Sequence, residues 1–246
     1  MNKLYIGFNK EIELPANERR KKSGYLFLSD DIPTIADAII FDPRKHSFNP
    51  LEDIDYRKAR EIADVLYTVY PQGENTLTVR NGKRALLKAL LEAKRLDAVE
   101  GDEEVQGMVG DLLASPVLRR VLCSDKHFSF NPRSVILARI NRAELGEFDA
   151  LVLGLLLIAQ FKGQIILSDL GFYGRDAHAS LIRQERLIAG VNFLDELPEK
   201  LRQAVLLIPD KVPQRALHDD AVELAKLRGL VPQTNEFNDF VREAME

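Results

Sequence analysis

Residues 134–169 read SVILARINRAELGEFDALVLGLLLIAQFKGQIILSD, and the fold follows from how this stretch is parsed. Val135 to Ile140 is a β-branched, apolar run of strand length, and Asn141 to Glu147 is a polar turn. Phe148 to Phe161 is an apolar block of helix length, and Gln164 to Asp169 is a second strand. Two short strands flanking one helix form a βαβ unit, whose strands run parallel through a right-handed crossover. The segment Ala150 to Ala159 is apolar on nearly every helical face, so it is expected to be buried all round. It is too short to cross a bilayer. The predicted fold class is α/β, a mostly parallel sheet flanked by helices.

On the N-terminal side, Lys3 to Phe8, Tyr25 to Leu28 and Ala38 to Phe41 read as short strands. A helical insert at about 55–122 then separates the sheet strands. It opens with an amphipathic helix from Asp55 to Tyr70, with Ala59, Ile62, Ala63, Leu66 and Val69 at helical spacing. Asn81 is expected to cap the next helix, Lys83 to Leu96, and further helices are expected at Glu103 to Leu113 and Val117 to Leu122. On the C-terminal side, a helix is predicted from Asp176 to about Ile188 with Gly190 as its C-cap. A strand at Val191 to Leu194, a helix at Leu197 to Gln203 and a strand at Ala204 to Ile208 follow. Helices at Asp219 to Leu227 and Asn235 to Met245 complete the chain. No internal repeat or linker is evident, so 1–246 is read as a single α/β domain.

The chain has 246 residues, 46% hydrophobic and 29% charged, which is ordinary for a globular protein and sets aside disorder. A formal charge of −4 argues against binding nucleic acid through net charge and leaves room for a local basic patch. Cys123 is the one cysteine, so no intrachain disulfide forms and a reducing compartment fits best. The apolar run at the start is short for a signal peptide, and a cytoplasmic protein with no membrane association is expected.

Three apolar strands are predicted to end in an aspartate: Asp42, Asp169 and Asp210. The carboxyl ends of parallel strands line the ligand crevice of an open sheet, where aspartates hold Mg²⁺ or a nucleotide. The plainer reading is that an aspartate opens a loop by accepting nearby backbone N–H groups. No glycine-rich phosphate loop is present, since Asn81-Gly82-Lys83-Arg84 lacks both the upstream glycine and the hydroxyl that Mg²⁺ needs. His46, His127, His178 and His218 have no metal-ligand spacing, and neither Ser134 nor Ser180 lies in a nucleophile elbow. Arg84, Lys88 and Arg95 recur at spacings of four and seven on the predicted helix, with Arg80 just before it. With Arg19, Arg20, Lys21 and Lys22 they form a candidate nucleic-acid-binding face, against the plainer reading of a solvated helix surface.

Ala38-Ile-Ile-Phe-Asp-Pro43 followed by Ser47-Phe-Asn-Pro-Leu51 resembles the segment after the first nucleotide-binding strands of the HerA/FtsK superfamily of DNA-translocating ATPases, conjugation coupling type. Arg139 to Gly146, the apolar helix and the strand ending at Asp169 are similar to the strand, helix and second acidic strand that follow in that family. The resemblance extends over about Asp30 to Ile208. It implies a P-loop-NTPase-like core. Yet Tyr25 to Leu28 runs into Ser29 to Ile39 with too few residues for a phosphate loop and its helix. Leu170 follows Asp169 where the family has a glutamate, so the general base is missing as well.

The resemblance therefore implies a degenerate, non-catalytic motor-ATPase-like binding or assembly module associated with DNA transfer or processing, with no cofactor and with protein or nucleic acid as partner. Two alternatives stand beside it. One is a metal-dependent phosphoesterase or nuclease using Asp42 and Asp169 as Mg²⁺ ligands, with Asp169 as its catalytic residue. The other is a subunit that completes a composite nucleotide site in a ring, donating Arg183 or Arg186.

Overall fold

The computed structural model describes residues 3–7, 24–31, 33–70, 76–124, 127–131, 133–174 and 187–246. Its strands are β1 (Lys3–Ile6), β2 (Tyr25–Ser29), β3 (Ile39–Phe41), β4 (Val135–Arg139), β5 (Gln164–Leu167), β6 (Leu187–Val191) and β7 (Asp210–Pro213). The chain divides into two compact units, Asn17–Gln164 and Met1–Ala16 with Ile165–Glu246.

In the Asn17–Gln164 unit the strand order is β3-β4-β2, and both pairings are parallel. Ser29 lies opposite Arg139, and Phe41 opposite Ala138. The chain passes from β2 to β3 through residues 30–38, with no helix among those described. The helices of this unit are α1 (Tyr56–Val69), α2 (Thr76–Glu92), α3 (Glu103–Ala114), α4 (Pro116–Leu122), α5 (Arg142–Leu145) and α6 (Glu147–Gln160). The first four stand between β3 and β4 in the chain. Asp55, Asp102 and Ser115 cap α1, α3 and α4 by accepting the N–H of Lys58, Val105 and Leu118. Helix α6 is buried at every position from Ala150 to Ile158, as its uniform apolarity predicts, and it packs against α1.

The predicted helix at Lys83 to Leu96 is displaced. It begins at Thr76 and ends at Glu92, so Asn81 sits inside α2 rather than at its cap. Arg95 lies past the helix end.

In the other unit the order is β5-β6-β1-β7, with every pairing parallel. Helices α7 (Glu199–Leu206), α8 (His218–Leu227) and α9 (Asn235–Met245) follow β6. Ala221 and Ala225 of α8 pack on Phe237, Val241 and Ala244 of α9. Four expectations are corrected here. Leu187 to Gly190 form strand β6, not the end of a helix, because their backbones pair with both β5 and β1. The strand expected at Val191 to Leu194 is thus only the end of β6, followed by a 3₁₀ turn at Leu194–Glu196. Ala204 to Leu206 continue α7, with Val205 buried beside Leu201 at helical spacing while Leu207 is 84% exposed. Asp210 consequently opens β7 instead of ending a strand. Among the described residues, no helix is long and apolar enough to cross a membrane.

Candidate functional site

The carboxyl edge of the β3-β4-β2 sheet is where a ligand crevice is expected in a parallel sheet. Its side chains are bound to one another. Asp42 follows β3 and is buried, and both of its carboxylate oxygens face Arg44. Oδ1 accepts from the Arg44 backbone N–H at 2.9 Å and from Nε at 3.1 Å, and Oδ2 accepts from Nη2 at 2.8 Å. Hydrogen bonding to this guanidinium holds the Asp42 carboxyl down at about 2. Arg44 reaches on to Glu144 at 3.0 Å, and Glu144 also accepts from Arg139, at the end of β4. Beside this chain, Asp30 accepts from the backbone N–H of Arg142 at 2.9 Å and from its Nε at 2.8 Å. The cation facing Asp42 is therefore an arginine supplied two residues along the same chain.

Beside this edge lies an aromatic cluster that no functional motif or spacing in the sequence marks. Phe41, His46, Phe48, Phe128 and Phe130 lie with ring centroids 5.0–6.0 Å apart, several of them edge to face. The Phe128 N–H donates to the Ser47 carbonyl at 2.7 Å and so ties loop 42–51 to segment 127–131. His46 Nδ1 accepts from the Asp42 N–H at 3.0 Å. A sequence signal for this pairing exists: the tetrapeptide Ser-Phe-Asn-Pro occurs at 47–50 and again at 129–132. Asn49 accepts from the Leu51 N–H at 3.0 Å and Asn131 from the Arg133 N–H at 2.9 Å, the same side-chain turn in both copies. Four residues are too few to register as a repeat of domain scale.

In the other unit, Asp169 follows β5 and its Oδ1 accepts from the Phe172 N–H at 3.0 Å, capping the helical turn that begins at 170. A Cβ on Gly171 would sit 2.5 Å from Glu196 Oε2 and 3.3 Å from Asp169 Oδ1, so two carboxylates converge on this glycine. Glu196 Oε1 accepts from the Asn192 amide at 3.1 Å, while Oε2 is buried with no hydrogen-bond partner among the described residues. An unpartnered buried oxygen of this kind costs about 1–3 kcal/mol. Glu196→Gln keeps the acceptor that faces Asn192 and replaces the orphan oxygen by a donor beside Asp169. The variant is expected to unfold at higher urea, by about 1 kcal/mol of added stability. A lower midpoint at neutral pH would refute this assignment.

The other sequence-selected residues fall as follows. Arg80, Arg84 and Lys88 are exposed on one face of α2. Arg80 and Arg84 make no ion pair among the described residues, and Lys88 faces Glu92 at 3.9 Å. Arg95 does not join them, because its guanidinium is taken by Asp97 at 2.9 Å and by the Cys123 carbonyl. Burial pushes the half-buried Cys123 thiol up, away from thiolate chemistry. Among the described residues, no group of three His, Cys, Asp or Glu is placed to share a metal ion. Arg19, Arg20, Lys21, Lys22, His178, Ser180, Arg183 and Arg186 lie outside the described residues. No protein-family model, curated protein or solved structure matches this chain.

Proposed function

We propose that this chain is a non-catalytic binding module, a motor-ATPase-like scaffold that associates with nucleic acid. The carrying observation is the closed network at the carboxyl edge of β2, β3 and β4. The side chains that a nucleotide or Mg²⁺ would need there are engaged in Asp42–Arg44–Glu144–Arg139 and Asp30–Arg142. The direct passage from β2 to β3 through 30–38 supports the same reading, since a phosphate cradle requires a loop feeding a helix N-terminus. On α2, Arg80, Arg84 and Lys88 follow one another at about 6 Å along the helix axis, a cationic line suited to phosphates.

Two measurements test this. Calorimetric titration with ATP and Mg²⁺ is expected to give no saturable heat and no phosphate release. Labelled oligonucleotides are expected to bind with strong salt dependence. The triple variant Arg80→Ala, Arg84→Ala, Lys88→Ala should lower the salt slope by roughly 2–3. Steady ATP turnover, or an unchanged salt slope in the triple variant, would remove the reading.

A further inference from the structure

We infer that the aromatic loops at 46–49 and 127–131 form a stacking face for single-stranded nucleic acid, close to the C-terminal end of α2. The inference rests on the nucleic-acid reading above and adds the strand class and the surface. Three observations carry it. First, the rings His46, Phe128 and Phe130 are half-buried, with one side packed on buried Phe41 and Phe48 and the remainder at the surface. Their neighbours His127, Ser129 and Asn131 alternate with them and are exposed, so this segment runs extended with its rings on one side.

Second, segments 43–51 and 127–133 contain Arg44, Lys45, His46, His127 and Arg133 and no aspartate or glutamate, in a chain whose net charge is −4. Arg44 is engaged by Asp42 and Glu144, and the exposed Glu52 and Asp53 follow the first segment. Lys45, His127 and Arg133 are exposed and make no ion pair among the described residues. Arg120, also exposed, is brought alongside by donating to the Arg44 carbonyl at 2.8 Å. Third, the Asn49 amide donates to the Lys94 carbonyl at 2.7 Å, which fastens the first loop to the chain just past the end of α2. The first loop is therefore held close to the C-terminal end of α2.

Aromatic rings flanked by exposed cations are the chemistry that takes unpaired bases, because every base has a π-face and a phosphate accompanies it. A duplex keeps its bases stacked internally and offers these rings nothing. Single-stranded DNA or RNA is therefore the partner class.

The test uses the full chain, with fluorescence anisotropy on a labelled oligothymidylate and on a duplex of equal length. Phe128→Leu keeps an apolar side chain and removes the ring. It is expected to weaken oligothymidylate binding about tenfold while duplex binding stays within twofold. The pair Lys45→Ala and Arg133→Ala, both exposed and thus without a folding burden, should lower the single-strand salt slope by roughly 1.4. A circular-dichroism melt establishes that each variant is folded. If Phe128→Leu is unfolded, the Lys45/Arg133 pair decides the matter. Equal losses on both oligonucleotides, or no loss from the loop variants while the α2 triple variant still weakens binding, would overturn this inference and leave the α2 reading standing. Failure of both oligonucleotides to bind would overturn the two together.

Discussion

Alanine at Gly7 is expected to cost the unit built on β1 about 3–5 kcal/mol, the largest single-residue effect anticipated in this chain. Gly7 follows β1 at φ +137°, a conformation that an L side chain rarely adopts. Its N–H donates to the Val191 carbonyl at 3.0 Å, and next to it the Gln214 N–H donates to the Ile6 carbonyl at 2.7 Å. The chain at Gly7 is thus pinned between β6 and β7. A Cβ would stand 1.6 Å from the Gln214 carbonyl oxygen, a backbone atom with no rotamer to yield. Either β7 leaves the sheet or β1 shifts register. Hydrogen exchange should therefore show lost protection at 210–213 together with a lower urea midpoint. Gly146→Ala is the control. Gly146 also has positive φ, at +84° with ψ 151°, but a Cβ there meets nothing within 4 Å, so only the dihedral cost of about 1–3 kcal/mol applies. Equal losses in the two variants would refute the steric argument.

The second large effect is expected at Asp42, and it carries a pH signature. Its carboxyl titrates at about 2 in the folded protein against an ordinary 3.8. A depressed carboxylate stabilises the fold above the ordinary value, and that stability is lost as pH falls toward the folded value. The full shift corresponds to about 2.4 kcal/mol, and Arg44, with a side chain 47% exposed, is screened by solvent, so about 1–2 kcal/mol is the reasonable figure. Asp42→Asn should therefore be less stable than the parent by that amount at pH 6–7. The gap should close between about pH 4 and pH 2. Asp42→Ala should cost more, since the Arg44 N–H and guanidinium lose their acceptors as well. Urea unfolding of parent and Asp42→Asn across that pH range is the measurement. A gap independent of pH would mean that shape, not charge, makes Asp42 matter.

Asp220 offers a weaker trend of opposite sign. Burial raises its carboxyl, although it accepts from the Leu194 N–H at 3.1 Å. A raised carboxyl favours the fold most at low pH, and that share is lost as pH rises through its folded value. Asn at 220 retains an acceptor for Leu194 and is expected to flatten this part of the profile.

The loop tetrapeptides explain why the candidate surface was poorly legible in sequence. His46, Phe48, Phe128 and Phe130 read as scattered loop aromatics. Beyond the repeated tetrapeptide, nothing in either segment says that the two meet, because contacts across about 80 residues depend on where α1 to α4 return the chain. The cationic line on α2 was more legible, since spacings of four are a local property of a helix. Its outer member was misassigned because the helix ends at Glu92, and Arg95 then finds a carboxylate two residues away at Asp97.

By itself, the sequence determined strands β4 and β5, the burial of α6, and the bounds of α1, α3 and α9 within a residue or two. In each of these the deciding information is local: apolar period, caps, and breakers such as Gly146. Tertiary structure alone decided that Leu187 to Gly190 are strand, since pairing with β5 and β1 on both sides outweighs a weak helical preference. It also decided that Asp42 faces an arginine and that the two Ser-Phe-Asn-Pro loops share one aromatic cluster. Those outcomes depend on partners distant in the chain or on the angle at which a side chain leaves it, and neither is a property of any window of sequence.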